Sequence, residues 1–197
     1  MEVKTIVVGN YQTNCYLLFN DDECLIIDPG ASPRSIIRQI GDRKVVAILL
    51  THGHFDHTGA VDELYKEYRC PIYGCKNDEP LFKSDILRGF YGESSVVNSP
   101  IRWFESDYLK IGSFEINIYF TPGHSSGSVM FKIDDKLFSG DTLFYESVGR
   151  TDLYSGSLSQ LKQSLRVVYQ LPGDMIVYPG HESITTVEHE IKYNPYL

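Results

Sequence analysis

The stretch His52-Gly53-His54-Phe55-Asp56-His57 gathers three of the chain's six histidines and an aspartate into one short turn, directly after the apolar run Val45 to Leu50. That run reads as a strand ending at Thr51, so His52 and His54 project from one side of an extended segment while Asp56 and His57 turn away. Four ligand-type side chains at this spacing cannot all crowd one tetrahedral ion. His52 and His54 can hold one metal while Asp56 and His57 reach a second beside it. The fold must therefore open the end of this strand onto a site for paired cations, and hydrolysis is the chemistry such a pair suits.

At 197 residues and 42% hydrophobic content, the chain can bury a sizeable core and is expected to form one domain over residues 1–197. Met1-Glu2-Val3-Lys4 lacks the basic-then-apolar run of a signal peptide, and no stretch reaches the roughly 18 apolar residues of a membrane span. A soluble, cytoplasmic protein without a membrane partner is expected. A net charge of -8 with no local Lys/Arg cluster argues against nucleic acid as a partner. Cys15, Cys24, Cys70 and Cys75 lie in or beside apolar runs with no C-x-x-C pair, and read as buried thiols.

Short strands are expected at Thr5 to Val8, Cys15 to Phe19 and Cys24 to Ile27. Ser32 and Pro33 offer an N-cap and first-turn proline for a helix through about Ile40. A second helix is expected from near His57, with Val61, Leu64, Tyr65 and Tyr68 as its apolar stripe. The second half repeats the pattern, with strands at Phe114 to Phe120, Val129 to Ile133, Lys136 to Ser139 and Met175 to Tyr178. Its helices span about Leu158 to Gln170 and Val187 to Tyr193, where Ser157 with Gln160 and Thr185 with Glu188 have capping-box spacing. Strands followed by helices, twice over, predict an α+β fold: a four-layer αββα sandwich of two mixed sheets with helices on the outer faces.

Three further segments place a ligand-type residue after a glycine in a loop that follows a strand: Thr121-Pro122-Gly123-His124, Ser139-Gly140-Asp141 and Tyr178-Pro179-Gly180-His181. With these motifs in this order, the chain resembles the metallo-β-lactamase superfamily over essentially its full length. Within it, the sequence is similar to the hydroxyacylglutathione hydrolase (glyoxalase II) group, especially its short single-domain members. The matching stretches are Tyr11-Gln12-Thr13-Asn14-Cys15-Tyr16, Thr121 to Ser125, Gly140-Asp141-Thr142-Leu143-Phe144, Gly149-Arg150-Thr151-Asp152 and Asn194-Pro195-Tyr196-Leu197. β-Lactamases match less well, since they typically carry cysteine or serine where Asp141 stands.

The resemblance implies His52, His54 and His124 on one metal, Asp56, His57 and His181 on the other, and Asp141 bridging both. It also implies a bridging hydroxide that attacks an S-acyl glutathione such as S-D-lactoylglutathione, with Asp56 and Asp141 in the catalytic centre. Two divalent ions are expected, zinc first, although iron and manganese suit the same ligands. Asp28 would orient a ligand histidine from outside the metal shell. Arg150 would either hold a substrate carboxylate or pair internally with an acid such as Asp152. The segment from Lys83 to Tyr108, with Phe90, Tyr91, Trp103 and Phe104, either lines the substrate pocket or packs as ordinary core. His189, in a polar helix, reads as structural. Two other activities of the superfamily remain open: a mononuclear iron persulfide dioxygenase and a lactonase.

Overall fold

Period-two alternation decides the layers. In β2 (Thr13–Asn20), Cys15, Leu17 and Phe19 enter one apolar cluster while Tyr16 and Leu18 enter another on the opposite face. The computed structural model describes residues 1–86 and 96–197, so Phe90 and Tyr91 lie outside the described residues.

Flanked by β1 (Glu2–Val8), this strand begins a six-stranded sheet that continues in chain order through β3 (Glu23–Ile27), β4 (Lys44–Leu49), β5 (Ile72–Gly74) and β6 (Ile101–Trp103). The first two pairings are antiparallel and the rest parallel. The second six-stranded sheet also follows chain order: β7 (Tyr108–Ile111), β8 (Phe114–Phe120), β9 (Val129–Ile133), β10 (Lys136–Gly140), β11 (Ile176–Pro179) and β12 (Thr185–Thr186). Only its β10–β11 pairing is parallel.

The sheets pack face to face through Tyr16, Leu18, Leu25, Ile27 and Leu49 on one side and Ile116, Ile118, Phe131 and Phe138 on the other. Helix α1 (Pro33–Ile40) covers the outer face of the first sheet with Ile36 and Ile40. The short α2 (Phe55–Thr58) is followed by α3 (Val61–Tyr68), whose Val61 and Leu64 enter the same outer cluster. A further short helix, α4 (Glu79–Lys83), adds Phe82 to it. Over the second sheet lie α5 (Leu158–Ser164) and α6 (Val187–Tyr193), with Leu161 and Val187 packed on Met130, Leu137 and Val177. This is the expected four-layer sandwich.

A β-bulge breaks the alternation in β4. Cys24 pairs with Val45 and Leu25 with Ala47, so Val46 is the extra residue and both Val46 and Ala47 face the inner core.

Local details depart from the sequence reading in four places. Ser32 occupies the N-cap of α1 with φ 58°, in the left-handed region, and makes no side-chain capping bond. The helix expected from His57 is two helices, since the Ala60 N–H bonds the Pro29 carbonyl at 3.0 Å instead of a carbonyl one turn back. The helix expected through Gln170 is α-helical only to Ser164 and then tightens into a 3₁₀ turn over Leu165–Gln170. The cap of α6 is Thr186, which accepts from the His189 N–H, while Thr185 donates its hydroxyl to Glu190 at 2.6 Å. Ser157 does cap α5, accepting from the Gln160 N–H. All four cysteines are buried free thiols. Among the described residues no helix is long and apolar enough to cross a membrane.

Asp62 on α3 holds the chain where it approaches β6, accepting bonds of 2.6–3.0 Å from the backbone and side chains of Asn98 and Ser99. Burial pushes its carboxyl up, but these donors outweigh burial and hold it below the ordinary carboxylate range. A depressed folded-state pKa stabilises the fold above the unfolded value of about 3.9, and that stability is lost as pH falls through the folded value. Asp62→Ala should therefore cost about 1–2 kcal/mol at neutral pH. In denaturant titrations its deficit against wild type should narrow as the pH is lowered through about 4; a constant deficit would refute the assignment.

Candidate metal centre

Strand direction brings the ligand-type residues together. β3 and β4 are parallel, and β8, β10 and β11 run alike within their own sheet, so the loops after these strands gather at one edge of the sandwich. Asp28 follows β3, His52 and His54 follow β4, His124 follows β8, Asp141 follows β10 and His181 follows β11. Thr51 ties the two sheets at this edge, its carbonyl accepting from the Val129 N–H at 2.8 Å. Gly140 turns there with φ 49°, where a β-carbon would meet Thr51 Oγ1 at 2.5 Å.

All seven residues singled out in the sequence converge. His52, His54 and His124 form one group that could hold a cation and Asp56, His57 and His181 another, with donor atoms in each lying within 4.8 Å of one another. Asp141 lies between them: Oδ1 is 3.2 Å from His57 Nε2, while Oδ2 is 3.4 Å from His124 Nε2 and 3.5 Å from His181 Nε2. Asp28, His52 and His57 also lie close together. The Asp28 oxygens, however, already accept from the Thr51 N–H (2.8 Å), the Thr51 hydroxyl (2.5 Å) and His57 Nδ1 (3.0 Å). Asp28 thus sits behind the histidines and aims them.

Most of the imidazoles are oriented from behind. His57 Nδ1 donates to Asp28, His124 Nδ1 to the Arg150 carbonyl at 2.7 Å, and His181 Nδ1 to the Tyr11 carbonyl at 3.1 Å. His52 Nδ1 meets the Thr51 hydroxyl at 3.1 Å. In the neutral ring, a proton on Nδ1 leaves Nε2 as an acceptor facing the centre. His54 instead turns Nδ1 inward, 2.8 Å from His124 Nε2.

Whether this set fits metal ions can be judged from its unsatisfied atoms. Among the described residues, four buried side-chain polar atoms lack a hydrogen-bond partner, and two of them, His52 Nε2 and Asp141 Oδ1, belong to the centre's inward-facing donors. Each such atom costs about 1–3 kcal/mol when unpaired. Imidazole nitrogens and a carboxylate oxygen crowded together suit a divalent cation, and the residues fit a pair of them.

Electrostatically the halves differ. Burial, followed by the neighbouring histidines, pushes His52 well below the usual histidine range and His54 to about 3. Burial also opposes a charge on His57 and His181, but Asp141 and Asp56 outweigh it, lifting His57 well above its ordinary value and His181 to about 9. Burial raises Asp141, yet His57 and His181 overcome it and keep the carboxyl well below its ordinary range. His52 and His54 thus present neutral donors, whereas His57 and His181 hold protons that an arriving cation would displace.

Several residues that sequence reasoning did not assign hold this arrangement. Thr13 donates its hydroxyl to Asp56 Oδ2 at 3.0 Å. Asn14 Nδ2 donates to the carbonyls of Pro179 and Glu182, both at 3.0 Å, and the buried Tyr16 hydroxyl donates to Pro179 at 2.5 Å. The Tyr11–Tyr16 stretch, quoted above only as a matching motif, is therefore what fixes Asp56 and the His181 loop. Its available signal was the pair of polar residues opening an otherwise apolar strand. Asp78 had no such signal: it is buried among the loops of His52, His54 and His124.

A cavity of about 300 Å³ opens over the centre, lined by Tyr11, Phe55, Phe144, Arg150 and Leu153 above the ligand residues. Arg150 forms a bidentate pair with Asp152, both bonds at 2.7 Å, which realises the internal pairing anticipated for it. Trp103 packs on Phe82 and Phe104 on Tyr73 and Phe131, away from this cavity. His189 pairs with Glu146 at 2.9 Å on the far side of the Phe144 loop.

The family profile of the Metallo-beta-lactamase superfamily matches residues 8–181. The probable metallo-hydrolase YqgX of Bacillus subtilis is 39% identical, across 100% of this chain and 98% of its own length. Hydroxyacylglutathione hydrolase GloC of Haemophilus influenzae is 36% identical, across 100% and 98%. Among solved structures, the BLEG-1 B3 metallo-beta-lactamase has a TM-score of 0.95 at 36% identity, over 100% of this chain and 99% of that one. TTHA1623, solved in a di-iron-bound form, has a TM-score of 0.87 at 35% identity, over 98% and 100%.

A β-carbon at Gly180 would meet Asp141 Oδ1 at 2.2 Å and His57 Cε1 at 2.8 Å. Gly180→Ala should therefore push Asp141 out of place and lower the metal content found by elemental analysis, with the far-UV circular dichroism unchanged. Wild-type metal content in this variant would show that Asp141 need not occupy its present position.

Proposed function

The chain belongs to the metallo-β-lactamase superfamily, and from that premise we propose that it is a binuclear metal-dependent thioesterase acting on S-acyl glutathione, S-D-lactoylglutathione included. The observation that carries this reading is the placement of Asp141, one carboxylate facing donors from both halves of the centre. In the proposal His52, His54 and His124 would hold one ion and Asp56, His57 and His181 the other, with Asp141 available to both. A pair of divalent ions, zinc as the first candidate, supplies an ionised water at neutral pH and a Lewis acid for the acyl carbonyl when bound.

The remaining chemistry belongs to the chain. Asp56, fixed by Thr13, and Asp141 set the negative charge of the centre and keep His57 and His181 turned inward. Tyr11, Phe55, Phe144 and Leu153 give the cavity apolar walls that limit water around the acyl group. Arg150 stands at its rim, where its guanidinium, braced by Asp152, offers a positive charge to a carboxylate of the thiol carrier. Water adds to the acyl carbon, the C–S bond breaks, and acid and thiol leave. A thiol with a pKa of about 8.5 departs as thiolate, so no side chain has to donate a proton to it. The GloC relative, similar over the whole chain, supports the substrate class.

The likeness to a B3 metallo-beta-lactamase makes amide hydrolysis of a β-lactam the reading to set against this one. Metal-replete protein should carry two ions per chain and cleave S-D-lactoylglutathione in preference to a chromogenic cephalosporin or a homoserine lactone, without consuming oxygen when given glutathione persulfide. Failure on every small thioester would remove the substrate assignment, and full activity with a single ion would remove the binuclear one. Asp56→Ala should lower kcat by about 10–100-fold or more with the fold retained, and chelation should abolish turnover until metal is restored. Arg150→Ala should raise KM for glutathione thioesters several-fold with little change in kcat, which would separate carrier binding from chemistry.

A further inference from the structure

We propose that Asp78 is a positioning residue that sets the spacing of His52, His54 and His124, and so governs cation affinity in that half of the centre separately from the other half. The proposal rests on the metal-centre reading above and adds a residue to it.

Asp78 lies where a 3₁₀ turn (Lys76–Asp78) passes into α4, and its side chain is fully buried. Oδ2 accepts from the Gly53 N–H at 2.9 Å and the Ser125 hydroxyl at 2.6 Å. Oδ1 accepts from the Gly127 N–H at 2.6 Å and, more weakly, from the Ser126 hydroxyl at 3.4 Å. Gly53 separates His52 from His54, and Ser125 follows His124. One carboxylate therefore ties together the backbones that carry all three histidines, across 25 positions of chain in one direction and 47 to 49 in the other.

The glycines are part of the same device. A β-carbon on Gly127 would meet Asp78 Cγ at 2.6 Å, and one on Gly53 would meet Leu81 Cβ at 2.6 Å and Asp78 Cβ at 3.3 Å. Both turns are shaped so that the carboxylate can reach their N–H groups. Ser126 reinforces the contact by donating its hydroxyl to the Asn77 carbonyl at 2.9 Å.

The other half is supported elsewhere. Asp56 is held by Thr13, His57 by Asp28, and His181 by the Tyr11 carbonyl together with the Asn14 and Tyr16 bonds to its loop. Loss of the Asp78 contacts should thus loosen one set of donors and leave the other in place. Asparagine has nearly the same volume but can accept at only one end, so its NH₂ would face either the Gly127 N–H or the Gly53 and Ser125 donors.

The experiment uses the zinc-loaded full chain, from which metal is withdrawn stepwise by a chromophoric chelator. His124→Ala identifies the release step that belongs to the three-histidine half. Asp78→Asn should weaken that step about 10–100-fold, the usual effect of losing a partner behind the ligands, and leave the other step within about twofold. In metal-free protein the ring ¹⁵N resonances of His52, His54 and His124 should shift while those of His57 and His181 hold. Asp62→Asn, a carboxylate whose donors are Asn98 and Ser99, should lower the melting temperature and move neither readout. Equal weakening of both steps, or unmoved ring resonances in Asp78→Asn, would overturn the proposal. If the wild-type chain releases a single ion, the two-metal reading falls and the resonances alone decide the role of Asp78. Should Asp78→Asn fail to fold, Ser125→Ala removes one donor to the same carboxylate and should show the same selectivity at a several-fold level.

Discussion

Parallel pairing of β3 with β4 and of β10 with β11 is the constraint on which everything else depends. Had either pair run antiparallel, the loops carrying Asp28 and His52, or Asp141 and His181, would lie at opposite edges of the sandwich. The pairing costs a crossover in each sheet, supplied by α1 in the first and by α5 with its 3₁₀ extension in the second. Those crossovers are among the helices that cover the outer faces, so part of the layer that completes each core also places the ligand loops on one side.

The centre spends little of its own structure on self-support. The inward nitrogens are aimed by groups behind them, and those groups come from all over the chain: a carboxylate after β3, carbonyls of Tyr11 and Arg150, and the Thr51 hydroxyl. Preorganisation of this kind holds buried nitrogen and oxygen atoms near one another at a free-energy cost that a bound cation would offset. The half formed by His52, His54 and His124 is the more enclosed, while His181 keeps about a fifth of its side chain exposed.

The layer order and most strands were legible because a period of two, cut by turn residues, is a local pattern. The gathering of His52, His54, Asp56 and His57 was legible for the same reason. Helix breaks were harder to read. Val61, Leu64, Tyr65 and Tyr68 form one stripe whether or not the helix is interrupted ahead of them, and at the interruption the Ala60 N–H bonds the Pro29 carbonyl far back in the chain. Thr185 and Thr186 are chemically equivalent candidates for one cap, and Thr185 is already committed to Glu190. Arg150 was left between two partners that sequence could not rank, and the structure shows its pairing with Asp152. Asp78 went unassigned because the groups that give it a role, at Gly53, Ser125 and Gly127, lie at least 25 positions away.

The bonds from Asn14 and Tyr16 to the carbonyls of Pro179 and Glu182 join positions 163 to 168 residues apart. Until residues 179 to 182 are in place, the polar groups of Asn14 and Tyr16 bond to water instead. Contacts of such separation are late and slow to form. The loop that presents His181 can therefore settle only once the second sheet has docked on the first, which makes maturation of the reactive centre a report on completed folding.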